Sequence, residues 1–374
     1  MKIRRKKIMT TIFIVLGLFL IVTFIFLQHP LFGKQPSGER LERIQKSKYY
    51  KNGQFHNLSN TPAFAEDASY FSAIKELLFS KVEHTKPTDS IPYVKTNLND
   101  LEITEDYLIW FGHSSYLMQI DGKKLLIDPV LTKNASPLYN TNVAFKGADV
   151  YTYDSLPKID YLVLTHDHYD HLDYTTFKKI QANVSKIVCP LGVGAHLEYW
   201  GYPKENITEL DWFESASLID SLSITATPAR HFSGRSFKRN TTLWASYVLK
   251  SNNLNLYLGG DSGYDTHFKE IGTKYGPFDL AILENGQYDR KWKYIHMMPE
   301  EVLKASSDLQ AKRFFPVHSS KFKLANHPWK EPLEKVAAYA KTNPTTKMIS
   351  PKIGEIVYLN NTNQTFEAWW ENVE

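Results

Sequence analysis

The sequence predicts a layered domain of the α/β (α+β) class behind a single membrane-spanning helix, and three observations carry that reading. Ten short apolar runs, each closed by a polar or glycine-containing loop, recur between residues 108 and 317. Helical patterns are interleaved with them, and alternating strands and helices pack as sheets covered by helices. The chain opens with an uncharged run of twenty residues, Ile8 to Leu27.

At 1.5 Å per residue, a helix of that length spans a hydrocarbon core of about 30 Å. A cleavable signal has an apolar core of only about 7–15 residues and a small-residue cleavage site. Here the run ends in Phe24-Ile25-Phe26-Leu27-Gln28-His29-Pro30, without such a site, so an uncleaved anchor is expected. Net charge is +4, yet Lys2, Arg4, Arg5, Lys6 and Lys7 alone supply five positive charges. Without them 39 basic residues face 40 acidic ones. The cations therefore form a topology signal: N-terminus cytoplasmic, body outside the cytoplasm, one span in the cell membrane. A neutral body has no electrostatic footprint for nucleic acid, and no such partner is expected. One cysteine excludes an internal disulfide and every cysteine-rich zinc finger.

Three segments follow: leader and anchor (1–27), a connector and N-terminal extension packed on the domain (28–100), and the domain itself (101–374). The extension is polar and broken by prolines, with one helical pattern, Tyr70 to Val82. Within the domain, strands are expected at 108–112, 115–120, 124–130, 160–165, 186–190, 223–228, 245–250, 254–260, 280–284 and 313–317. Helices are expected over 173–182, 299–309 and 329–341; Pro299 followed by Glu300 and Glu301 suits a helix start.

The chemistry sits at strand ends. After the run DYLVLT comes His166-Asp167-His168-Tyr169-Asp170-His171. Imidazole nitrogens and carboxylate oxygens are ligands for zinc and its first-row neighbours, and three histidines in six residues make a poor apolar core. His166 and His168 can point to one side of an extended loop, with Asp170 and His171 reaching a second position. His231, Asp261 and His318 occupy the same place just beyond other apolar runs, and strand ends on one edge of a sheet converge. Singly, His231 or His318 is equally a packed histidine, and Asp261 in GGDSG equally a turn residue. Jointly, seven ligands from four strand ends suit two metals with one shared carboxylate.

These stretches resemble the metallo-β-lactamase superfamily, and within it the N-acyl-phosphatidylethanolamine phospholipase D-like branch. The resemblance runs through PLFGKQPSGERLERI (30–44), WFGHSSYLMQIDGKKLLIDPVL (110–131), LTHDHYDHLD (164–173), PARHFSGR (228–235), GGDSGYDTHF (259–268), YIHMMPEEVL (294–303) and PVHSSKFKLANHPWKEP (316–332). It implies a four-layer αββα sandwich of two mixed sheets. It also implies that His166, His168 and His231 bind one metal and Asp170, His171 and His318 the other, with Asp261 bridging. Zinc is expected, with manganese and iron compatible with the same ligands. The true β-lactamases typically place a cysteine among the ligands; Cys189 lies outside the pattern and reads as a small buried residue.

Two such cations would lower the pKa of bound water and supply a bridging hydroxide as nucleophile. Asp261 would bridge and orient it. His296, after the strand-like KWKYI and before a helix start, is expected to contact phosphate or protonate the leaving group. His113 and Asp128 also match family positions and are expected behind the ligands or in turns, while His327 is expected to cap a helix. Tyr264, Tyr288 and Trp292 are candidates to line an acyl channel. The resemblance implies a phosphodiesterase of phospholipase D type acting on a phospholipid. A lactonase or sugar-phosphate hydrolase of the same fold is the alternative. A non-catalytic, membrane-tethered binding protein is the alternative of another class.

Overall fold

The computed structural model describes residues 2–79, 82–101, 104–342 and 346–374. Helix α1 (Lys2–Leu27) is followed by α2 (Gly38–Gln45), a hairpin of β1 (Tyr50–Lys51) and β2 (Gln54–Phe55), and α3 (Tyr70–Phe79). Next come β3 (Tyr107–Trp110), β4 (Tyr116–Ile120), β5 (Lys123–Ile127), β6 (Ile159–Val163), α4 (Tyr174–Ile180), β7 (Val184–Pro190), α5 (Gly194–Tyr199) and β8 (Ile207–Leu210). The second half runs β9 (Ser215–Ile219), β10 (Leu222–Thr227), β11 (Ser246–Lys250), β12 (Asn255–Leu258), α6 (His267–Tyr275), β13 (Leu280–Glu284), α7 (Pro299–Asp308), β14 (Arg313–Val317), α8 (Glu331–Thr342), β15 (Lys347–Met348) and β16 (Ile356–Tyr358).

Two seven-stranded sheets result, ordered β16-β3-β4-β5-β6-β7-β8 and β15-β14-β13-β12-β11-β10-β9. Each is mixed: β5 to β8 and β12 to β15 pair in parallel, the others antiparallel. Side-chain alternation divides the second sheet between two cores. Leu249, Leu256, Ile282 and Phe315 face the first sheet. Their neighbours Val248, Tyr257, Ala281 and Phe314 pack under Phe268 and Ile271 of α6, Val302 and Ala305 of α7 and Val336 of α8. Phe177 and Ile180 of α4 and Leu197 of α5 join the main core from the first sheet's side. This is the expected αββα sandwich.

All ten expected strands form, within three residues of their limits. The short strands β1, β2, β8, β9, β15 and β16 and helices α2, α5 and α6 were not anticipated. Most of those strands are edge or hairpin pieces with little apolar content to reveal them. KWKYI is no strand: residues Arg290–Trp292 form a 3₁₀ turn. The expected helix at 70–82 forms over Tyr70–Phe79, and residues 80 and 81 of that pattern lie outside the described residues. Helix α1 is long and apolar enough to cross a membrane, and none of its apolar window is buried against the domain. Cys189 is fully buried.

Lys321 staples the loops at one end of the sandwich. It is 1% exposed, and its Nζ donates to the carbonyls of Phe111 and Val130 at 3.0 and 2.9 Å. Burial pushes its pKa down to about 8. An unfolded lysine titrates near pH 10.4, so between about pH 8 and 10 the unfolded chain binds more protons and stability rises with pH. Lys321→Met should remove that rise. In urea unfolding at several pH values, the stability difference should grow in favour of the wild type from about pH 8 to 10. A difference constant with pH would contradict the assigned shift.

Candidate metal centre

Four strand ends, from both sheets, converge at one edge of the sandwich. The loop leaving β6 folds back on itself, since the carbonyl of His168 accepts from the amides of His171 (3.1 Å) and Leu172 (2.8 Å). Helix α4 starts directly behind, with the Asp173 carboxylate accepting from the Thr175 and Thr176 amides. From the second sheet come His231 beyond β10, Asp261 beyond β12 and His318 beyond β14. The loop of His318 pairs with that of His113 through two backbone bonds of 3.1 Å, and both residues have left-handed φ values, +67° and +54°.

Glycine permits the convergence. A Cβ on Gly260 would lie 2.7 Å from Thr165 Cβ and 2.9 Å from the Ala245 carbonyl; one on Gly263 would lie 2.0 Å from the Tyr294 carbonyl. The GGDSG stretch is thus a point of close approach between the sheets, which delivers Asp261 to the histidine loop.

All seven expected ligands are brought together. His166, His168, His231 and Asp261 form one group, and His113, Asp170, His171 and His318 another, each with ligand atoms within 4.8 Å of one another. His168 Nδ1 is 2.9 Å from His166 Nε2 and 3.2 Å from His231 Nε2. Asp261 touches both groups: Oδ1 lies 3.2 Å from His171 Nε2, and Oδ2 lies 3.2 Å from His318 Nε2 and 3.7 Å from His231 Nε2. Nitrogen ligands about 2.0–2.1 Å from a tetrahedral ion stand a little over 3 Å apart. The buried atoms His171 Nε2 and Asp261 Oδ1 have no aligned hydrogen-bond partner. The spacing, the donor types and these unsatisfied atoms all fit divalent metal.

A second layer aims the ligands. Asp128 Oδ2 lies 2.8 Å from His171 Nδ1 and accepts from Thr165 Oγ1 at 2.5 Å; Thr165 Oγ1 lies 3.0 Å from His166 Nδ1. His231 Nδ1 donates to the Ile295 carbonyl at 2.9 Å. Such contacts fix which ring nitrogen faces the metal. Glu284, not anticipated from the sequence, ends β13 with a buried carboxylate 2.7 Å from His296 Nδ1 and 3.4 Å from His318 Nδ1. It also accepts the Met297 amide at 2.5 Å. Its signal was available: LAILE places a carboxylate at the strand-end position that marked the ligands.

Burial lowers the pKa of His166 and His231 well below normal and that of His168 to about 4, favouring the neutral, ligating form. Burial opposes charge on His318 as well, but Asp261, Asp170 and Glu284 outweigh it and hold its pKa well above normal. For Asp261 burial favours the neutral acid, and the facing His171 and His318 reverse this and keep it ionised. His113 is pushed down to about 3, chiefly by burial, and its Nε2 lies 3.0 Å from Asp170 Oδ2.

His168, Asp170, His231, Asp261, His296 and His318 line a cavity of about 570 Å³. Its wall includes Phe64, Phe232, Trp292, Ile295, Leu324 and Arg239, and the extension contributes Gln54, Asn57, Thr61 and Ala63. Of the three candidate channel aromatics only Trp292 is there. Tyr264 stacks on Phe268 and donates to Asp308, and Tyr288 stacks on His327 and donates to Glu331. Nor does His327 cap a helix; its Nε2 accepts the amide of Gln287, another wall residue.

A His/Asp centre at the joint edge of this sandwich defines a metal-dependent hydrolase of the metallo-β-lactamase fold. The chain belongs to the beta-lactamase superfamily, residues 123–319 matching the family described as beta-lactamase superfamily domain. It is 39% identical over 330 residues to an uncharacterized protein of Mycobacterium tuberculosis, covering 87% of this chain and 88% of that one. It is 32% identical over 230 residues to N-acyl-phosphatidylethanolamine-hydrolyzing phospholipase D 1 of Caenorhabditis elegans, covering 57% of this chain and 63% of the other. In fold it is similar to Igni18, a metallo hydrolase of Ignicoccus hospitalis, with a TM-score of 0.52 at 22% identity over 67% of this chain and 97% of that one.

Gly260→Ala tests the close approach. The added methyl forces the β12 end away from Thr165, and metal affinity, measured by competition with a chelating dye, should fall about tenfold or more in a folded chain. Unchanged affinity would mean that Asp261 does not depend on this contact.

Proposed function

We propose that the chain is a membrane-anchored phosphodiesterase of phospholipase D type, acting on a phospholipid at two divalent cations, most simply Zn²⁺. The observation that carries this is the position of Asp261: one carboxylate reaches both histidine groups at the floor of a cavity with an apolar and cationic wall. In this reading His166, His168 and His231 hold one ion, Asp170, His171 and His318 hold the other, and Asp261 is shared. When bound, the ions supply Lewis acidity toward a phosphoryl oxygen and activate water. The kinship with the Caenorhabditis elegans phospholipase supports the substrate class, and α1 supports a membrane address. The lysine and arginine cluster before the span keeps the N-terminus cytoplasmic and places the domain outside.

The chain's own residues divide the remaining work. Arg239, its guanidinium 4.9 Å above the Phe232 ring, offers positive charge to the phosphate. Phe64, Phe232, Trp292 and Leu324 exclude water and receive the start of the acyl chains; a cavity of 570 Å³ is in the usual range for ligand sites. Glu284 holds the Nδ1 proton of His296, so its Nε2 is free to carry a second proton. As water adds to phosphorus and the ester P–O bond breaks, that proton passes to the leaving oxygen.

Metal analysis of the full chain should find about two ions, and chelation should abolish activity. Asp261→Ala should lose metal and turnover together. His296→Gln should keep its metal and lose roughly 10²–10⁴-fold in turnover of bis-p-nitrophenyl phosphate and of N-acyl-phosphatidylethanolamine. Hydrolysis of lactones with no action on either phosphodiester would replace this reading.

A further inference from the structure

The segment that leaves α1 is clamped to the domain rather than free. Arg235 Nε and Nη2 donate to the Leu31 carbonyl at 3.0 and 2.7 Å, and Trp200 Nε1 donates to that of Pro30 at 2.8 Å. The Lys34 amide donates to His196 Nδ1 at 2.9 Å, and His196 Nε2 lies 3.2 Å from Asp167, between two expected ligands. Gly33, at φ +70°, allows the approach, since a Cβ there would stand 2.0 Å from His196 Nδ1. Aromatic contacts run without a break from the last turn of α1 to Arg235. The Phe26 ring is 5.2 Å from Phe32, Phe32 is 6.4 Å from Tyr169, and the Arg235 guanidinium is 4.2 Å above Tyr169.

Arg235 therefore marks the point where the helix meets the domain, and the chain beyond it is unusual. Ser236, Phe237, Lys238 and Arg239 are all exposed, with Phe237 86% exposed. Arg239 and the following Asn240 line the metal cavity. The Phe55 amide donates to the Asn240 carbonyl at 2.7 Å, tying the segment that carries Leu58, 48% exposed, to the same rim. An exposed aromatic followed by two cations, two residues beyond the arginine that clamps the segment after an apolar helix, has the composition of an interfacial membrane contact.

We propose that the loop Ser236–Arg239 is a second membrane contact. Phe237 sits among the headgroups beside α1, Lys238 and Arg239 meet anionic lipid, and the mouth of the metal cavity opens at the bilayer surface. The proposal rests on reading α1 as an anchor; its labelling test does not depend on which ester is cleaved, whereas its turnover test also rests on the phosphodiesterase reading. Its partner is a bilayer containing anionic lipid.

Cys189 is buried, so Phe237→Cys in the full chain creates a single accessible thiol for an environment-sensitive fluorophore. In phosphatidylcholine–phosphatidylglycerol vesicles, the label should shift its emission to the blue and be quenched by lipids brominated near the headgroup. The same label at Tyr358→Cys, on the opposite edge of the first sheet, should stay in water. In addition, Phe237→Asp should cut turnover of vesicle-embedded phospholipid about tenfold or more, the loss of one buried aromatic contact, with turnover of bis-p-nitrophenyl phosphate unchanged. An unquenched label on a chain that still floats with the vesicles overturns the contact alone. A chain that leaves the vesicles overturns the anchor reading and the contact with it.

Discussion

The van der Waals contact between Gly260 and Thr165 is the constraint on which the site depends. It lets the end of β12 reach the loop after β6, although the two strands lie in different sheets. The Ala245 amide donates to the Thr165 carbonyl at 2.9 Å and Tyr247 Oη to that of Leu164 at 2.7 Å, so the sheets are laced together just beneath the ligands. Asp261 then has little freedom. Its carboxylate is buried among imidazoles, where isolated charge is costly, and the cost is offset only because positive partners surround it on several sides.

That electrostatic arrangement explains the asymmetry of the two halves. Around His166 and His231 Asp261 is the one carboxylate that opposes burial, and although His168 also faces Asp170 and Asp167, burial outweighs the acids at all three rings and keeps them neutral. Around His171 and His318 there are Asp128, Asp170, Asp261 and Glu284. The same burial cannot prevent protonation there; His171 is raised to about 10. The acid-rich half is the one whose positive charge a cation would replace. The second layer makes the replacement directional, since Asp128 and the Ile295 carbonyl occupy the Nδ1 side of His171 and His231 and leave Nε2 inward.

The strands and the candidate ligands were legible in the sequence for the same reason. A run such as RFFPV is buried in the sandwich and so is apolar throughout, and the residue that ends it is conspicuous by contrast. The wall of the cavity carries no such signal. Asn57, Thr61 and Phe64 come from an extension without periodicity, and only tertiary contacts bring it over the site, through the bonds between Asn57 and the backbone of His231. Edge strands such as β8 and β9 were missed because each has a single fully buried residue, Leu210 and Leu218, and so no apolar run. Two of the three candidate channel aromatics lie elsewhere, for the opposite reason. Tyr264 and Tyr288 lie close in sequence to site residues, but each sends its hydroxyl to a carboxylate away from the cavity.

The clamp on the segment after α1 joins that helix and the site into one mechanical unit. Arg235 is 3% exposed, and its guanidinium serves two structures at once. Nη1 donates to the carbonyls of Asp167 (2.8 Å) and Leu172 (2.7 Å), bracketing the ligand loop, while Nε and Nη2 hold Leu31. Burial lowers its pKa, but arginine stays protonated, and its charge is balanced by carbonyl dipoles and the nearby acids rather than by one ion pair. Displacing the segment would strip one acceptor, and two hydrogen bonds, from a buried cation and leave the histidine loop to absorb the change. A domain on a slack tether would tumble over the bilayer. Here only Gln28 to Pro30 separate the end of α1 from Leu31, so the orientation of the domain follows that of the helix. With α1 in a membrane and the loop Ser236–Arg239 against it, as proposed, that fixed orientation would hold the cavity rim toward the lipid.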